Sequence, residues 1–363
     1  MIALSLIKNK KLKIIEKSVP KLLHPKKCRL QILYSGICAS DIPRAYNNMA
    51  YSYPLIMGHE FVGKIIQVGK NVKEFNKNEI VSAFPLIPQC TIRNENNKCK
   101  NCQNENYNLC NNYSYYGSRV DGSFCEILDV YEWNLYKLNK KINYKIASLM
   151  EPTSVAFNIL DKIPNFLNQK SKVLLIGSGF MGQILARILN TKLKKINLIA
   201  LDRNLFKLKE IEKHSAEQLL FMNKNTKEDK YLLSSLNSRF DVVIETTGNH
   251  KNFVSSLDFV KKDGVIIYTG NPNDDVKFKK KEISNILRKE IIIKGVWNSS
   301  FKKKKNNWDS AENFLKNEKN QNLKQLITHT ISLEKSPDLL NKIYQSKNKK
   351  TKINYIKGLI KNF

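Results

Sequence analysis

The run KVLLIGSGFMGQILARIL at residues 172–189 constrains the fold of this chain more than any other stretch. Its first residues form a short, continuously apolar segment that predicts a buried strand, and its last residues show the periodicity of a helix. Between them lie three glycines in the spacing Gly177-x-Gly179-x-x-Gly182. Glycines in this spacing allow a tight turn and let the backbone approach a pyrophosphate at the N-terminus of the helix. The stretch therefore predicts a dinucleotide-binding fold, with an ordinary turn as the alternative.

The next apolar run, NLIALD, ends in Asp202, 20 residues after Gly182. A carboxylate in this position accepts hydrogen bonds from the ribose hydroxyls and repels a 2′-phosphate, which favours NAD over NADP. Arg203 follows directly and weakens this preference, because an arginine there can hold the additional phosphate of NADP. We therefore expect NAD as the cofactor, bound by the three glycines, Asp202 and Arg203.

Three regions of the chain differ in the pattern of their apolar and polar residues. Residues 1–155 contain short apolar runs broken by glycine, proline and asparagine, which predicts a β-rich domain that starts with a hairpin. Residues 156–295 alternate apolar runs, among them EIIIKGV at 290–296, with helical patterns. This alternation predicts buried strands in a doubly wound parallel sheet with helices on both faces. Residues 296–363 are more polar, and we expect them to fold back on the first region.

Composition excludes several classes of protein. A chain of 363 residues with 42% hydrophobic residues is long enough to bury two cores. The formal net charge of +30 is compatible with a nucleic-acid or membrane partner, but the lysines are spread over the whole chain. We interpret them as a solvated surface and expect neither partner. No apolar segment approaches ~18 residues, and seven cysteines without a signal peptide favour a reducing cytoplasm.

Two further motifs lie in the first region. Cys38 lies in GICASDIPR, and His59 and Glu60 lie in GHEFVG. Together with the glycine motif downstream, these motifs resemble the zinc-dependent medium-chain alcohol and polyol dehydrogenases, and the resemblance covers essentially the whole chain. It implies an α/β protein with a GroES-like catalytic domain, a Rossmann NAD-binding domain and a C-terminal segment that completes the catalytic domain. It also implies a homodimer or homotetramer.

The same resemblance implies a catalytic zinc. Its ligands match Cys38, His59 and Glu151, the last of these in MEPTSVAFN. Zinc accepts thiolate, imidazole and carboxylate, and three protein ligands leave one position open for a substrate hydroxyl, whose pKa falls there. Glu60 either binds this zinc in the resting enzyme or stays outside its ligand shell.

Two residues beside Cys38 are expected to assist. Asp41 is expected to accept a hydrogen bond from His59 and thereby orient its ring. Ser40, by resemblance, begins a proton relay from the substrate to solvent, and the alternative is a plain turn hydroxyl.

Four of the seven cysteines lie in CTIRNENNKCKNCQNENYNLC, residues 90–110. By resemblance, such a loop holds a structural zinc through C-x2-C-x2-C-x7-C. Cys99, Cys102 and Cys110 keep the last two spacings, whereas eight residues separate Cys90 from Cys99 and Arg93 takes the usual second position. An insertion of six residues restores all four ligands, and closing the longer loop costs little because the cost grows only logarithmically. We expect Cys28 and Cys125 to be core residues.

Several stretches, among them YYGSRVDGSF and KGVWNSSF, resemble the branch of the family that acts on galactitol 1-phosphate. The resemblance implies oxidation of a secondary alcohol of a polyol phosphate to a ketose phosphate. Arg44 and Arg119 are candidates for phosphate binding, because guanidinium groups suit phosphate, or else they face solvent or form internal ion pairs. Asn298 is a candidate for the substrate pocket. Ala39 stands where the family usually has glycine, which leaves the substrate open.

Two other functions remain as alternatives. A sorbitol-, xylitol- or threonine-type zinc dehydrogenase would use the same metal residues. A zinc-containing nucleic-acid-binding protein would use the four-cysteine loop and the positive charge, but it would leave His59 and the glycine motif without a role.

Overall fold

The computed structural model describes residues 1–21, 23–93, 98–163, 167–193, 196–213, 218–221, 227–302, 306–317, 322–348 and 350–362. The chain divides into two compact units. Unit 1 comprises Met1–Ser154 and Ser299–Phe363, and unit 2 comprises Val155–Asn298. Among the residues described, no helix has the length and apolar character needed to cross a membrane.

The elements are numbered in chain order. The strands are β1 (Ile2–Lys8), β2 (Lys11–Glu16), β3 (Lys27–Ile37), β4 (Leu55–Ile56), β5 (Glu60–Val68), β6 (Ile80–Ala83), β7 (Leu86–Pro88), β8 (Tyr113–Tyr115), β9 (Ile127–Tyr131), β10 (Leu135–Lys137), β11 (Lys172–Ile176), β12 (Asn197–Asp202), β13 (Gln218–Phe221), β14 (Phe240–Glu245), β15 (Val260–Tyr268), β16 (Ile292–Gly295), β17 (Ile327–Ser332) and β18 (Lys357–Lys361). The helices are α1 (Asp41–Tyr46), α2 (Gln89–Ile92), α3 (Lys100–Gln103), α4 (Tyr144–Ala147), α5 (Met150–Asp161), α6 (Phe180–Lys192), α7 (Leu205–Glu212), α8 (Lys227–Ser235), α9 (His250–Phe259), α10 (Lys280–Lys289), α11 (Asn307–Lys316), α12 (Leu323–Leu326) and α13 (Ser336–Lys347), with short 3-10 helices at Tyr107–Leu109 and Glu132–Asn134.

Unit 1 is built around β3. This long strand pairs antiparallel with β5, with β9 and with β18 in a seven-stranded sheet, so the C-terminal residues share a sheet with the first region. The predicted N-terminal hairpin is confirmed, because β1 and β2 pair antiparallel. Cys28 and Cys125 are buried in the core of this unit, as predicted.

The register of the large sheet brings three strand ends together. At the end of β3, Gly36 lies opposite Glu60 of β5, and Ile37 lies opposite Gly358 of β18. Residues that follow β3, precede or begin β5 and begin β18 are therefore neighbours, although they are far apart in the sequence. This junction positions the first candidate site.

Unit 2 confirms the predicted doubly wound sheet. Its six strands are parallel and follow the order β13-β12-β11-β14-β15-β16. The central strands β11 and β14 are almost entirely buried, as continuous apolar runs in a sheet covered on both faces should be. The order places β11, which leads into the glycine motif, at the centre of the sheet.

The prediction of a buried strand at EIIIKGV is wrong. All four residues of β16 are exposed, among them Ile292 at 41% and Ile293 at 38%. The strand forms one edge of the sheet, and α10 beside it in the chain has no buried residue. A short apolar run has no periodicity that separates a central strand from an edge strand, so the sequence alone could not show the difference.

Candidate active site

The junction in unit 1 assembles the first group of candidate residues. Cys38 directly follows β3, and His59 and Glu60 stand at the start of β5. One ligand atom of each of Cys38, His59 and Glu60 lies within 4.8 Å of the others. His59 and Glu60 are 4% and 1% exposed, so the imidazole and the carboxylate are almost entirely withdrawn from water. We call these three residues the catalytic cluster, after the role that we propose for them.

Glycines make room for this cluster. A Cβ atom at Gly36 would collide with Oε2 of Glu60 on the neighbouring strand. Gly58, which precedes His59, has a φ of +93°, a conformation that strains any residue with a side chain. The glycine of GIC is therefore required by the packing of the cluster, and that of GHE by the backbone conformation just before His59 and by the Phe124 side chain.

Lys357 is a further member of the site, which the sequence analysis missed. It begins β18, is 2% exposed and forms a buried ion pair with Oε2 of Glu60. Its Nζ also donates to the carbonyl oxygen of Ile37, 3.2 Å away, just before Cys38. Tyr355 donates to the same carbonyl at 3.4 Å. A lone lysine in an apolar strand carries little signal, and only the pairing of β18 with β3 brings it to the cluster.

Burial makes the acidic groups hard to ionise without a cation. Burial, with the charges of Glu60 and Asp41, raises the pKa of the Cys38 thiol to about 11. Burial likewise raises the pKa of Glu151 to about 8. Nδ1 of His59 is buried and has no hydrogen-bond partner in the described part of the chain. Thiolate, imidazole and carboxylate form a donor set that zinc accepts, so these residues fit a zinc ion.

The other predicted residues lie around this cluster. Glu151, in the first turn of α5, is 4% exposed and interacts electrostatically with His59, Glu60 and Cys38, but it lies outside the group within 4.8 Å. Ser40 is the N-cap residue of α1, and the interaction of its side chain with the Cys38 thiol slightly opposes the rise in the pKa of that thiol.

Asp41 accepts from the backbone N–H of Cys38 at 2.9 Å and from Nη1 of Arg44 at 2.9 Å. Its Oδ1 lies 3.9 Å from Nδ1 of His59, which is too long for the expected hydrogen bond. Asp41 is fully buried, so its charge still acts on the imidazole from close by.

The four-cysteine loop closes on itself. The sulfur atoms of Cys90, Cys99, Cys102 and Cys110 all lie within 4.8 Å of one another, and those of Cys90 and Cys110 are 3.7 Å apart. All seven cysteines are free thiols. Burial raises the pKa of Cys99, but hydrogen bonds from the backbone N–H groups of Asn111 and Cys102 outweigh it and lower the pKa to about 7. Four convergent sulfurs fit a closed, tetrahedral zinc site.

The glycine loop of unit 2 has the geometry that a dinucleotide requires. Gly177 has a φ of +101°, and a Cβ there would lie 2.5 Å from Oγ1 of Thr246. A Cβ at Gly182 would collide with the carbonyl oxygen of Gly177, whereas a Cβ at Gly179 would meet nothing within 4 Å. Gly179 therefore leaves open space at the start of α6. The buried hydroxyl of Ser178 has no partner among the described residues, so the loop fits a bound phosphate group.

Asp202 ends β12 beside this loop. Its Oδ2 accepts from the backbone N–H of Ser178 at 2.6 Å, and its Oδ1 accepts from that of Asn204 at 2.9 Å. Arg203 is exposed. Lys207 in α7 interacts electrostatically with Asp202, and burial lowers its pKa. The sequence analysis missed Lys207, although the helical pattern that follows Asp202 could have brought it into consideration.

The candidate substrate residues have different surroundings. Arg44 is half-buried, is paired with Asp41, and its Nε has no partner among the described residues. Arg119 is exposed and lies over the rings of Tyr51 and Tyr113, with 4.4 and 4.7 Å to the ring centroids. Asn298 belongs to unit 2, where its carbonyl oxygen accepts from Nδ2 of Asn158 at 2.8 Å.

Known proteins resemble this chain along nearly its whole length. The model of the alcohol dehydrogenase GroES-like domain matches residues 24–140, and that of the glucose dehydrogenase C-terminus matches residues 144–354. The galactitol 1-phosphate 5-dehydrogenase of Escherichia coli K12 is 28% identical over 325 residues, 89% of this chain and 90% of that protein. A sorbitol dehydrogenase of Halalkalibacterium halodurans is 26% identical over 310 residues, 84% of each chain. The crystal structure of galactitol-1-phosphate dehydrogenase from Escherichia coli superimposes with a TM-score of 0.85 at 25% identity and covers 99% of both chains.

Proposed function

Since this chain belongs to the zinc-dependent medium-chain dehydrogenase family, we propose that it oxidises a secondary alcohol of a polyol phosphate to a ketose phosphate and reduces NAD. Membership makes the protein an oxidoreductase of the alcohol and polyol dehydrogenase type. The observation that carries the proposed chemistry is the catalytic cluster, in which Cys38, His59 and Glu60 converge within 4.8 Å.

Each candidate residue of unit 1 has a distinct role in the proposed reaction. Cys38 and His59 would hold the zinc with a carboxylate, for which Glu60 is nearest and Glu151 is the alternative. When bound, zinc supplies the charge that favours loss of a proton from the substrate hydroxyl, and NAD supplies the hydride acceptor. Ser40, whose side chain interacts with that of Cys38, is the candidate that would take this proton and pass it to solvent.

Unit 2 would bind the nucleotide. The backbone at Gly177, Gly179 and Gly182 would receive the pyrophosphate, and the carboxylate of Asp202 would accept hydrogen bonds from the ribose. Lys207 beside Asp202 is a second candidate for a ribose contact. The exposed side chain of Arg203 keeps open the use of NADP, so the proposal of NAD rests on Asp202.

The proposed phosphate specificity rests on Arg44 more than on Arg119. Arg44 is linked to the catalytic cluster through Asp41, and its buried Nε has no hydrogen-bond partner among the described residues. Arg119 is engaged with two tyrosine rings at the surface. Asn298 is retained as a candidate for the substrate pocket, without further support from its contacts in unit 2.

The proposal includes two zinc ions per chain, a reducing compartment such as the cytoplasm, and self-association. The four-cysteine loop supports the second zinc, and the free thiols support the compartment. The exposed edge strand β16 supports a homodimer or homotetramer, because the free edge of a strand can pair with its copy about a two-fold axis.

The test is NADH formation by the zinc-loaded protein. Galactitol 1-phosphate and sorbitol 6-phosphate are compared with galactitol, sorbitol and L-threonine, and NADP is compared with NAD. We expect turnover confined to the phosphorylated polyols, and a higher KM for them in Arg44→Gln but not in Arg119→Gln. Turnover of free polyols or threonine instead would keep the zinc chemistry and reject the phosphate specificity.

A further inference from the structure

Tyr115 borders the catalytic cluster, and the proposed mechanism gives it no role. Its ring packs edge-on against the imidazole of His59, with 5.7 Å between the centroids and an interplanar angle of 72°. Its phenol also interacts electrostatically with Glu151, Cys38 and Arg44. Tyr115 ends β8, which is not one of the three strands that meet at the junction (β3, β5 and β18). It therefore faces the metal ligands from a separate strand.

The backbone of Tyr115 is rigidly held. Its carbonyl oxygen accepts from the N–H groups of Ser118, Arg119 and Val120 at 3.3, 2.9 and 3.2 Å. Its strand pairs with β7, where Leu86 lies opposite it. The side chain is thus carried by a turn with little freedom to move.

The segment after Tyr115 is joined to the segment before His59. Gly122 donates to the carbonyl oxygen of Ile56 at 2.7 Å, and Ser123 donates to that of Gly58 at 2.9 Å. A Cβ at Gly117 would collide with the backbone of Gly58. These contacts fix the position of Tyr115 relative to His59. A substrate bound at the cluster would therefore meet the ring of Tyr115 in a defined position.

The phenol of Tyr115 lies beside the imidazole of His59 and brings a hydroxyl group to the metal ligands. A phenol is a hydrogen-bond donor and acceptor that suits a second hydroxyl group. A substrate with a single hydroxyl has no group that could use this partner.

We propose that Tyr115 is a specificity-determining residue whose phenol hydroxyl binds the substrate hydroxyl on the carbon next to the one that is oxidised. This inference rests on the proposed alcohol oxidation but not on the phosphate. Removing a hydroxyl that a site is built to bind lowers discrimination, because the substrate hydroxyl then loses its partner on entering the site.

The test compares two substrates that differ by one hydroxyl. The zinc-loaded protein oxidises 2,3-butanediol and 2-butanol with NAD, and the ratio of the two kcat/KM values measures the preference for the neighbouring hydroxyl. We expect Tyr115→Phe to lower this ratio about tenfold, the value of one hydrogen bond. An unchanged ratio, or an equal loss for both substrates, overturns the proposal.

Tyr116→Phe is the matched control. Tyr116 is the neighbouring tyrosine, and its hydroxyl accepts from the backbone N–H of Tyr131 at 3.0 Å, away from the cluster. We expect its loss to leave the ratio as in the wild type, and an equal fall in both variants would show a general packing effect. Zinc content is measured in parallel, since loss of metal from Tyr115→Phe would assign the residue to metal binding instead.

Two outcomes separate this inference from the proposed function. If the wild type ignores polyol phosphates but prefers the diol, the phosphate proposal fails while the role of Tyr115 is still measured. If neither 2,3-butanediol nor 2-butanol is oxidised, the comparison is made by binding. The fluorescence of NADH then measures the affinity of each compound for the complex of the protein with NADH. Equal binding of the two compounds to the wild type would reject the inference.

Discussion

The four-cysteine cluster and the catalytic cluster are assembled in different ways. The four thiols come from one stretch of residues 90–110, and their neighbours are backbone N–H groups and the rings of Tyr107 and Tyr113. The catalytic cluster lies where the end of β3 meets the start of β5, and it is surrounded by buried ionisable groups, Asp41, Glu151 and, from β18, Lys357. The first site is a local structure with one kind of ligand, and the second depends on the fold of the whole unit.

The difference between the two clusters should have its largest effect on catalytic activity. Replacing His59 by alanine removes a proposed zinc ligand at the place where, in the proposed reaction, the substrate hydroxyl loses its proton. Since a metal ion supplies several kcal/mol there, we expect kcat/KM to fall roughly 10³-fold or more. Zinc content should fall from about two to about one per chain, because the four-cysteine site keeps its metal.

His24→Ala is the control for this variant. His24 packs edge-on against Tyr131 in the same unit and is not part of either cluster. It should keep both zinc ions and full activity. A His59→Ala protein that retained wild-type activity would reject the assignment of the catalytic cluster.

Replacing Cys99 by serine should have the opposite profile. The sequence of the loop is rich in asparagine and lysine, so loss of its metal should lower the free energy of unfolding by roughly 3 kcal/mol. One zinc should remain per chain, and the remaining metal should still support turnover. Zinc analysis and thermal unfolding of the metal-loaded protein measure both quantities.

Cys125→Ser is the matched control, since Cys125 is a buried thiol outside both clusters. It should retain two zinc ions. If Cys99→Ser also retained two tightly bound ions, the four thiols would not form a metal site.

Sites formed by one stretch of sequence are easier to predict than sites formed by distant parts of the chain. The four cysteines could be grouped because they lie within 21 residues and resemble the cysteine loop of the family, although Cys90 departs from the spacing of that loop. The glycine motif is recognisable for the same reason, since strand, turn and helix are consecutive. The prediction that strand β16 is buried is wrong because its exposure is determined by its place in the sheet order and not by its own residues.

Lys357 and Tyr115 could not be predicted, because long-range pairing brings them to the cluster. Nothing near Lys357 in the sequence indicates that it lies beside Glu60, and only the pairing of β18 with β3 puts it there. Tyr115 lies in a stretch that resembles the polyol-phosphate branch, yet its orientation toward His59 follows from the turn that binds it to Gly58.

Lys357→Met tests the buried charge that distinguishes the catalytic cluster. Without its cation, Glu60 is left buried and unpaired, so we expect the metal-free protein to lose about 3 kcal/mol of stability. Zinc would then be the only cation beside Glu60, so the affinity of this site for zinc should rise about tenfold. Chelator competition measures the affinity, and thermal unfolding with and without zinc measures the stability.

A fall in zinc affinity in Lys357→Met would show that the lysine positions Glu60 for the metal and does not compete with it. The four-cysteine site serves as the internal control, because no change at Lys357 should alter its metal.

Asp41→Asn should give the smallest effect. Asparagine can still accept the hydrogen bond from the N–H of Cys38, but it removes a negative charge 3.9 Å from His59 and breaks the pair with Arg44. Changes to residues that support metal ligands typically weaken metal binding 10- to 100-fold, and we expect about tenfold because the hydrogen bond survives. Tyr113→Phe is the counterpart at the four-cysteine cluster, where the neighbours are neutral, and it should leave both zinc affinities unchanged. Equal losses in the two variants would mean that charge near the ligands does not distinguish the two sites.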